Sequence, residues 1–295
     1  MKIRTTGGEK AFQICNVLFF ILCAVITVVP LLTVIAQSFS SSRALNSGEV
    51  GLWPVEPTMD AYANLLKDGQ IIKAMWNTVV VTVGGVVLNM IATICAAYPL
   101  SKKWLYGRTP ALLMITFTMM FSGGMIPGFI LIKQLKLMNT FWALWLSGLI
   151  STYNMFVMKS FFEGIPDSLE ESAALDGAND IIILFRIILP ISMPILATLT
   201  LFYAVGWWNI YFNAVIYIND SSKAVLMVKL KQMIDNVSQS LLASNSGSEG
   251  VREDAITPQG MQSAAIVLST LPILCVYPFL QKYFVKGVMI GSIKG

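Results

Sequence analysis

The sequence predicts an all-α, polytopic membrane protein with six transmembrane helices. Three observations carry that reading. The chain is 56% hydrophobic and only 12% charged, whereas soluble domains carry about 25% charged residues. Its apolar residues gather into runs near the length of about 18 or more residues that a helix needs to cross a bilayer. Those runs contain no Asp, Glu, Lys or Arg. A mean hydropathy of +0.70 over 295 residues agrees with all three.

The first span is expected at residues 12–36. Its apolar run exceeds the h-region of a secretory signal, about 7–15 residues, and no clear small-x-small site follows, so it reads as a retained span. Residues 37–73 are polar and rich in turn formers, with one helical stretch, "MDAYANLLKD". The second span is expected at 74–100. Its paired glycines, "VGGVV", read as a packing or turn feature, as does "TTGGEK" near the start. The basic segment "SKKWLYGR" leads to a third span at 110–132, and a short fourth follows at 141–158. A loop at 166–190 precedes a fifth span at 191–218, whose far end is blurred by Trp207, Trp208, Asn209 and Tyr211, residue types common at membrane interfaces. Residues 219–260 hold a lysine-bearing helical stretch, "SKAVLMVKLKQMIDNV", and then "SQSLLASNSGSEG", a mobile loop by composition. The sixth span is expected at 261–280, with a tail at 282–295. The whole chain, 1–295, is expected to form one transmembrane domain.

Lys and Arg near span ends set orientation. With the N-terminus inside, eleven of the twenty fall on the inner side, and the bias is cleanest in "SKKWLYGR" and the tail, which hold no acid. Both termini and the 166–190 loop are then cytoplasmic, and 37–73 and 219–260 are extracytoplasmic. These two outer segments are either plain connectors or the resting surface for a separate solute-binding protein.

Several chemistries are excluded or disfavoured. The chain has no histidine, so histidine catalysis and ligation are out. Cys15, Cys23, Cys95 and Cys275 all fall in predicted spans without metal or disulfide spacing, and read as small packing residues. No G-x-x-x-x-G-K-[ST] occurs, so the chain binds no ATP by that loop. No enzyme activity, metal, cofactor or nucleic-acid partner is expected. Without ionisable groups at depth, proton coupling lacks a relay. Sodium can bind backbone carbonyls, so an ion-coupled carrier is argued against less strongly on that side. Active transport would then draw its energy from another subunit.

The loop "PDSLEESAALDGANDIIILFRIILP" has the pattern for such a contact. Ser168 can cap a helix with Glu171 as its capping-box partner. A short helix over 169–176 would close at Gly177 in the left-handed conformation. Asn179 or Asp180 would cap a second helix, which Pro190 and Pro194 bend. Ala173, Ala174, Gly177 and Ala178 are small, Leu175 is one apolar knob, and Glu170, Glu171 and Asp176 face cationic groups of a partner. The plainer alternative is that Glu171 caps its own helix and the alanines only favour helicity.

The segment resembles the EAA motif of ABC importer permeases: Glu171, Ala173 and Gly177 stand in register, nine residues separate Gly177 from Ile187, and Leu189 and Pro190 complete it. Ser172 replaces an alanine. "GGMIPGFILIKQLKLMNTFWALWL", the "LDGA" run and the ending "QKYFVKGVMIGSIKG" resemble the maltose-type, carbohydrate branch, and within it the permeases of complex-oligosaccharide importers. The resemblance implies a MetI-like permease fold and a cytoplasmic coupling helix that docks on an ATP-binding subunit through residues 170–178, Ile187, Leu189 and Pro190. It implies a tail that reaches the ATPase subunits through Gly287, Gly291, Lys294 and Gly295, where composition alone suggests a frayed basic end. It also implies the partners: two ATP-binding subunits that carry ATP and Mg, a second homologous and different permease, an extracytoplasmic solute-binding protein, and a sugar substrate, all at a bacterial cytoplasmic membrane. Importers of amino acids, peptides or phosphate share this fold and remain the alternative, as does a non-transporting scaffold.

A sugar route needs hydroxyl partners and flat apolar faces. Trp145, Tyr153 and Asn154 in the fourth span, and Trp208 and Asn209 at the end of the fifth, are the candidates. An interfacial belt is the competing role for each aromatic. Asn77 and Asn89 in the second span are amides that can join helices.

Overall fold

The computed structural model describes residues 7–67, 69–246 and 257–292, and among these it is helical with no strand. Two compact units emerge, Met1–Ile71 with Leu230–Leu271, and Ile72–Lys229 with Pro272–Gly295.

In the first unit, helix α1 (Gly7–Ser38) carries the first predicted span, and Phe12–Ser38 is long and apolar enough to cross a membrane by itself. Its apolar side chains are exposed on all sides, Phe12, Leu18, Phe19 and Ile26 among them, as a lipid-facing helix requires. The segment after it is folded. Ser40 Oγ donates to Ala36 O at 2.7 Å and accepts from Val55 N at 3.1 Å. Tyr62, on α3 (Asp60–Leu66), donates to Ser38 Oγ at 2.9 Å and lies 5.1 Å from the Phe39 ring. Between them α2 (Ser42–Asn46) is capped by Ser41, whose hydroxyl also donates to Glu56 at 2.6 Å, and Arg43 pairs with the same carboxylate.

The second unit is built on α4 (Gln70–Ser101), 32 residues long and, among the described residues, the other helix that qualifies as a span alone. The third predicted span is not one helix. It is α5 (Arg108–Met120) and α6 (Met125–Gln134), bent by 110°. Phe121 is extended and Gly124 takes φ +82°, a left-handed value that glycine adopts without a Cβ clash. The fourth is likewise broken into α7 (Phe141–Ser147) and α8 (Thr152–Glu163), bent by 54°, where Ser151 accepts from Asn154 N and restarts the helix. The fifth begins earlier than expected. It runs through α10 (Asp180–Ile183), a π turn (Leu184–Ile188) and α11 (Leu189–Ile191), turns by 81°, and continues as α12 (Met193–Trp208). Before it lies α9 (Asp167–Leu175), and after it the short α13 (Phe212–Tyr217).

Helix α14 (Leu226–Ser246) follows a 3-10 turn (Ser221–Lys223), and α15 (Pro258–Ser292) contains the predicted sixth span. The lysine-bearing helix thus runs through Ser246, into the stretch expected to be a loop, and 247–250 lie outside the described residues. The cysteines do not pack inside the protein as expected: Cys15, Cys95 and Cys275 are exposed and Cys23 is half-buried, on the outward faces of apolar helices.

Two glycines explain how α4 accepts its neighbours. A Cβ on Gly84 would lie 2.6 Å from the Trp145 ring, and one on Gly85 would lie 2.4 Å from the Trp207 ring. Beside them Asn89 is buried and satisfied. Its Nδ2 donates to Gly148 O at 2.6 Å and Leu149 O at 2.9 Å, and its Oδ1 accepts from Trp207 Nε1 at 2.7 Å. One amide thereby joins α4, the α7–α8 break and α12. Trp207 and Trp208 are therefore core residues at 7% and 8% exposure, not the interfacial pair that composition suggested. The broken backbone at 148–151 leaves carbonyls without helical partners, and a polar side chain from α4 supplies them.

Candidate coupling site

The loop opens where α8 stops at Glu163 and Gly164. Pro166 is extended at φ −61°, ψ 129° and precedes α9 without a side-chain cap. The expected capping box is thus not made. The helix starts at Asp167, which puts Ser168 and Glu171 inside it rather than at the ends of a box. Asp167 and Glu170 supply negative charge to the first turn, where the helix dipole favours it.

The far end of α9 follows the sequence reading closely. Gly177 takes φ +86°. Its N–H donates to Ala174 O at 3.0 Å, and Ala178 N donates to Ala173 O at 3.0 Å. This is the Schellman pairing, which satisfies carbonyls that the helix leaves open. Asn179 then caps α10 with its Oδ1 accepting from Ile182 N at 2.9 Å.

What α9 presents is equally specific. Ala173 and Ala178 rest against a core cluster that includes Met155, Met158, Phe162 and Ile183. Glu171, Ser172, Ala174, Asp176 and Gly177 are exposed. Leu175 is 89% exposed, and the space where a Gly177 Cβ would stand is open. Glu170 departs from expectation. Its carboxylate is not available to a partner, because Lys102 holds both oxygens, and the two side chains are only 12% and 20% exposed. Beyond α10, Ile187 lies in the π turn, and Leu189 and Pro190 begin α11. Ser192, at the 81° bend, is fully buried, and its hydroxyl has no hydrogen-bond partner among the described residues.

Residues that sequence reasoning counted only for orientation turn out to hold the loop. Lys102 sits 4.7 Å over the Tyr98 ring. Arg108 Nε donates to Leu100 O at 2.9 Å and its guanidinium pairs with Glu163, which Lys159 also reaches at 2.8 Å. A cleft of about 290 Å³ opens here, lined by Lys102, Lys103, Glu163, Glu170, Glu171 and Asp180. The one signal in the sequence was that the basic segment and these acids were assigned to the same side of the membrane. The pairing puts them at the same end of α4.

The other candidates do not gather into one site. Trp145 is half-buried against Gly84 and donates to Val81 O at 3.0 Å. Trp208 lines an apolar groove of about 400 Å³ with Thr82, Leu201 and Pro272, which none of the other four lines. Asn209 Nδ2 turns back to Val205 O at 2.8 Å. Tyr153 is 57% exposed, and Asn154 is buried in the first turn of α8. In the tail, Gly287 and Gly291 fall in the last turns of α15, and Lys294 and Gly295 lie outside the described residues.

Comparison with known proteins follows the same line. The chain is 41% identical over 294 residues to protein LplC of Bacillus subtilis (strain 168), with 99% of this chain and 98% of the relative covered. It is 41% identical over 280 residues to the polygalacturonan/rhamnogalacturonan transport system permease protein YtcP of the same organism, covering 94% and 96%. Among solved structures, a bacterial ABC transporter involved in the import of the acidic polysaccharide alginate contains a chain that matches with a TM-score of 0.84 and 32% identity, over 96% of this chain and 100% of that one. Residues 9–290 match the family model of the binding-protein-dependent transport system inner membrane component. The loop at 171–190 pointed to this assignment, and the chain belongs to that family, the permeases of ABC importers.

Proposed function

We propose that the chain is one permease subunit of an ATP-driven importer for an oligosaccharide or modified sugar, with acidic pectin-like fragments the first class to try. The relatives named for polygalacturonan, rhamnogalacturonan and alginate support that substrate class. In this reading the chain spans the membrane six times with both termini inside. It pairs with a second, different permease, and two ATP-binding subunits carry ATP and Mg. An extracytoplasmic binding protein delivers the sugar to the outer segments. The chain performs no chemistry of its own.

The observation that supports this most is the face of α9. An apolar side chain at 89% exposure, on a helix closed rigidly by Gly177, has no reason within the chain. Single exposed leucines are common, but this one stands among small residues that let another backbone approach. Closure of the ATPase subunits would move α9 and switch the spans between inward- and outward-facing states.

The test is Gly177→Val in the assembled importer. A β-branched residue at φ +86° is strained by roughly 1–2 kcal/mol or more, and its side chain fills the open approach. The variant is expected to insert and to co-purify with the second permease while losing the ATPase subunits and oligogalacturonide uptake. Uptake that persists in this variant, or that follows ion gradients and ignores ATP, refutes the proposal.

A further inference from the structure

The structure points to Lys102 and Arg108 as positioning residues that fasten the coupling loop to the inner end of α4. Displacement of α9 is then delivered along α4 to the chain's opposite end. This rests on the reading of α9 as the ATPase-docking helix and extends it to the path by which motion leaves that helix.

Both sides of the 164–166 turn are tied to the same place. Glu170, in the first turn of α9, is held by Lys102, the residue after α4 ends. Glu163, the last residue of α8, is held by Arg108, which also occupies the open Leu100 carbonyl at the end of α4. Lys102 is further fixed over Tyr98, whose ring packs edge-on to Phe162 at 6.1 Å. Exposed ion pairs contribute little. The Lys102–Glu170 pair is mostly withdrawn from water, where breaking one partner leaves a poorly solvated charge.

The other end of α4 is fastened too. Asn77 Nδ2 donates to Ser222 O and Ala224 O, each at 3.0 Å, and Thr78 Oγ1 accepts from Leu226 N at 2.8 Å. At 1.5 Å per residue these bonds lie about 36 Å along the axis from Ser101. Between the two ends α4 is an unbroken helix, and Asn89 grips the α7–α8 break and Trp207 on the way. The covalent route out of α9 runs instead through a π turn and an 81° bend, where a push is absorbed more readily.

The experiment uses the complete importer in nanodiscs, with hydrogen exchange followed by mass spectrometry before and after trapping with Mg-ATP and vanadate, so that no sugar need be known. In the unsubstituted complex, trapping is expected to change exchange at α9 and at amides 222–227 by about fivefold or more, the lower range of allosteric couplings. In Lys102→Glu the α9 change persists and the 222–227 change falls below about twofold. Lys102→Arg and the charge-swapped Lys102→Glu/Glu170→Lys pair restore it. The inference is overturned if 222–227 respond fully in Lys102→Glu, if the swapped pair fails to restore them, or if Lys102→Glu sheds the ATPase subunits, which would make Lys102 part of the docking surface. If α9 of the unsubstituted complex ignores trapping, the functional reading itself fails.

Discussion

Replacing Gly85 with alanine tests how α4 is packed, and its size follows from three numbers. The added Cβ would stand 2.4 Å from Trp207 Cε2 and 2.5 Å from Nε1, the atom that donates to Asn89. The ring cannot remain in place. Overpacking of this kind costs about 1–3 kcal/mol. Displacing the ring also breaks the Trp207–Asn89 bond, worth about 0.6 kcal/mol on average between transmembrane helices. Against this, alanine is the better helix former by about 1 kcal/mol. The net is a loss of about 2 kcal/mol, or a Tm lower by roughly 4–8 °C at the 2–4 °C per kcal/mol of larger domains. Gly206→Ala is the control. It sits on α12, one residue before Trp207, and a Cβ there meets nothing within 4 Å. It is expected to leave Tm unchanged or raise it. The assay is thermal unfolding of the nanodisc-embedded chain, with Trp fluorescence reporting the Trp207 environment. Equal Tm values for the two variants, or a stable Gly85→Ala with unshifted fluorescence, would refute the packing argument.

Other expectations concern the ends of helices. Asn179→Ala removes the α10 cap and costs about 1 kcal/mol, read as roughly fivefold faster exchange at the Ile182 amide, while Ser168→Ala, which removes no cap, stays within about 0.5 kcal/mol. Glu56 is held below the ordinary carboxylate range, first by the hydrogen bond from Ser41 and then by Arg43. Since its pKa is depressed on folding, the stability it gives the 41–58 segment is present above about pH 4.5 and is lost as pH falls through the lower folded value. Exchange at the Ala44 amide, measured from neutral pH downward and corrected for intrinsic rates, should accelerate there, and Glu56→Gln should abolish that step.

The loop around α9 was legible because its signals are local. A glycine at the left-handed position, an asparagine three residues before the amide it caps, and an acidic first turn act over one or two turns of chain. The start of α9 was misread for the same reason. Ser168 has the right chemistry for a cap, but Pro166 already supplies extended backbone and lets the helix begin two residues earlier, at Asp167. The breaks at 121–124 and 148–151 were not legible, since hydropathy reports transfer to lipid and is blind to direction. A 110° bend at "FSGGM" leaves the window average intact. The partner of Glu170 was hidden because it lies 68 residues away, and charge counting assigns a side of the membrane rather than a neighbour.

The aromatic candidates for a sugar route carry a lesson about how polar groups are used inside an apolar protein. Trp145 donates to Val81 and fills the notch at Gly84. Trp207 donates to Asn89, and Asn209 turns back on its own helix. These three donors are engaged where the chain breaks or ends a helix, and releasing the Trp145 or Trp207 indole would leave a backbone carbonyl or a buried amide without a partner. Tyr153, exposed on the first turn of α8 beside the buried Asn154, carries no such duty. An exposed hydroxyl of that kind is free to meet a ligand without cost to the fold, whereas freeing the Trp145 or Trp207 indole would break the bonds that hold α4 to its neighbours.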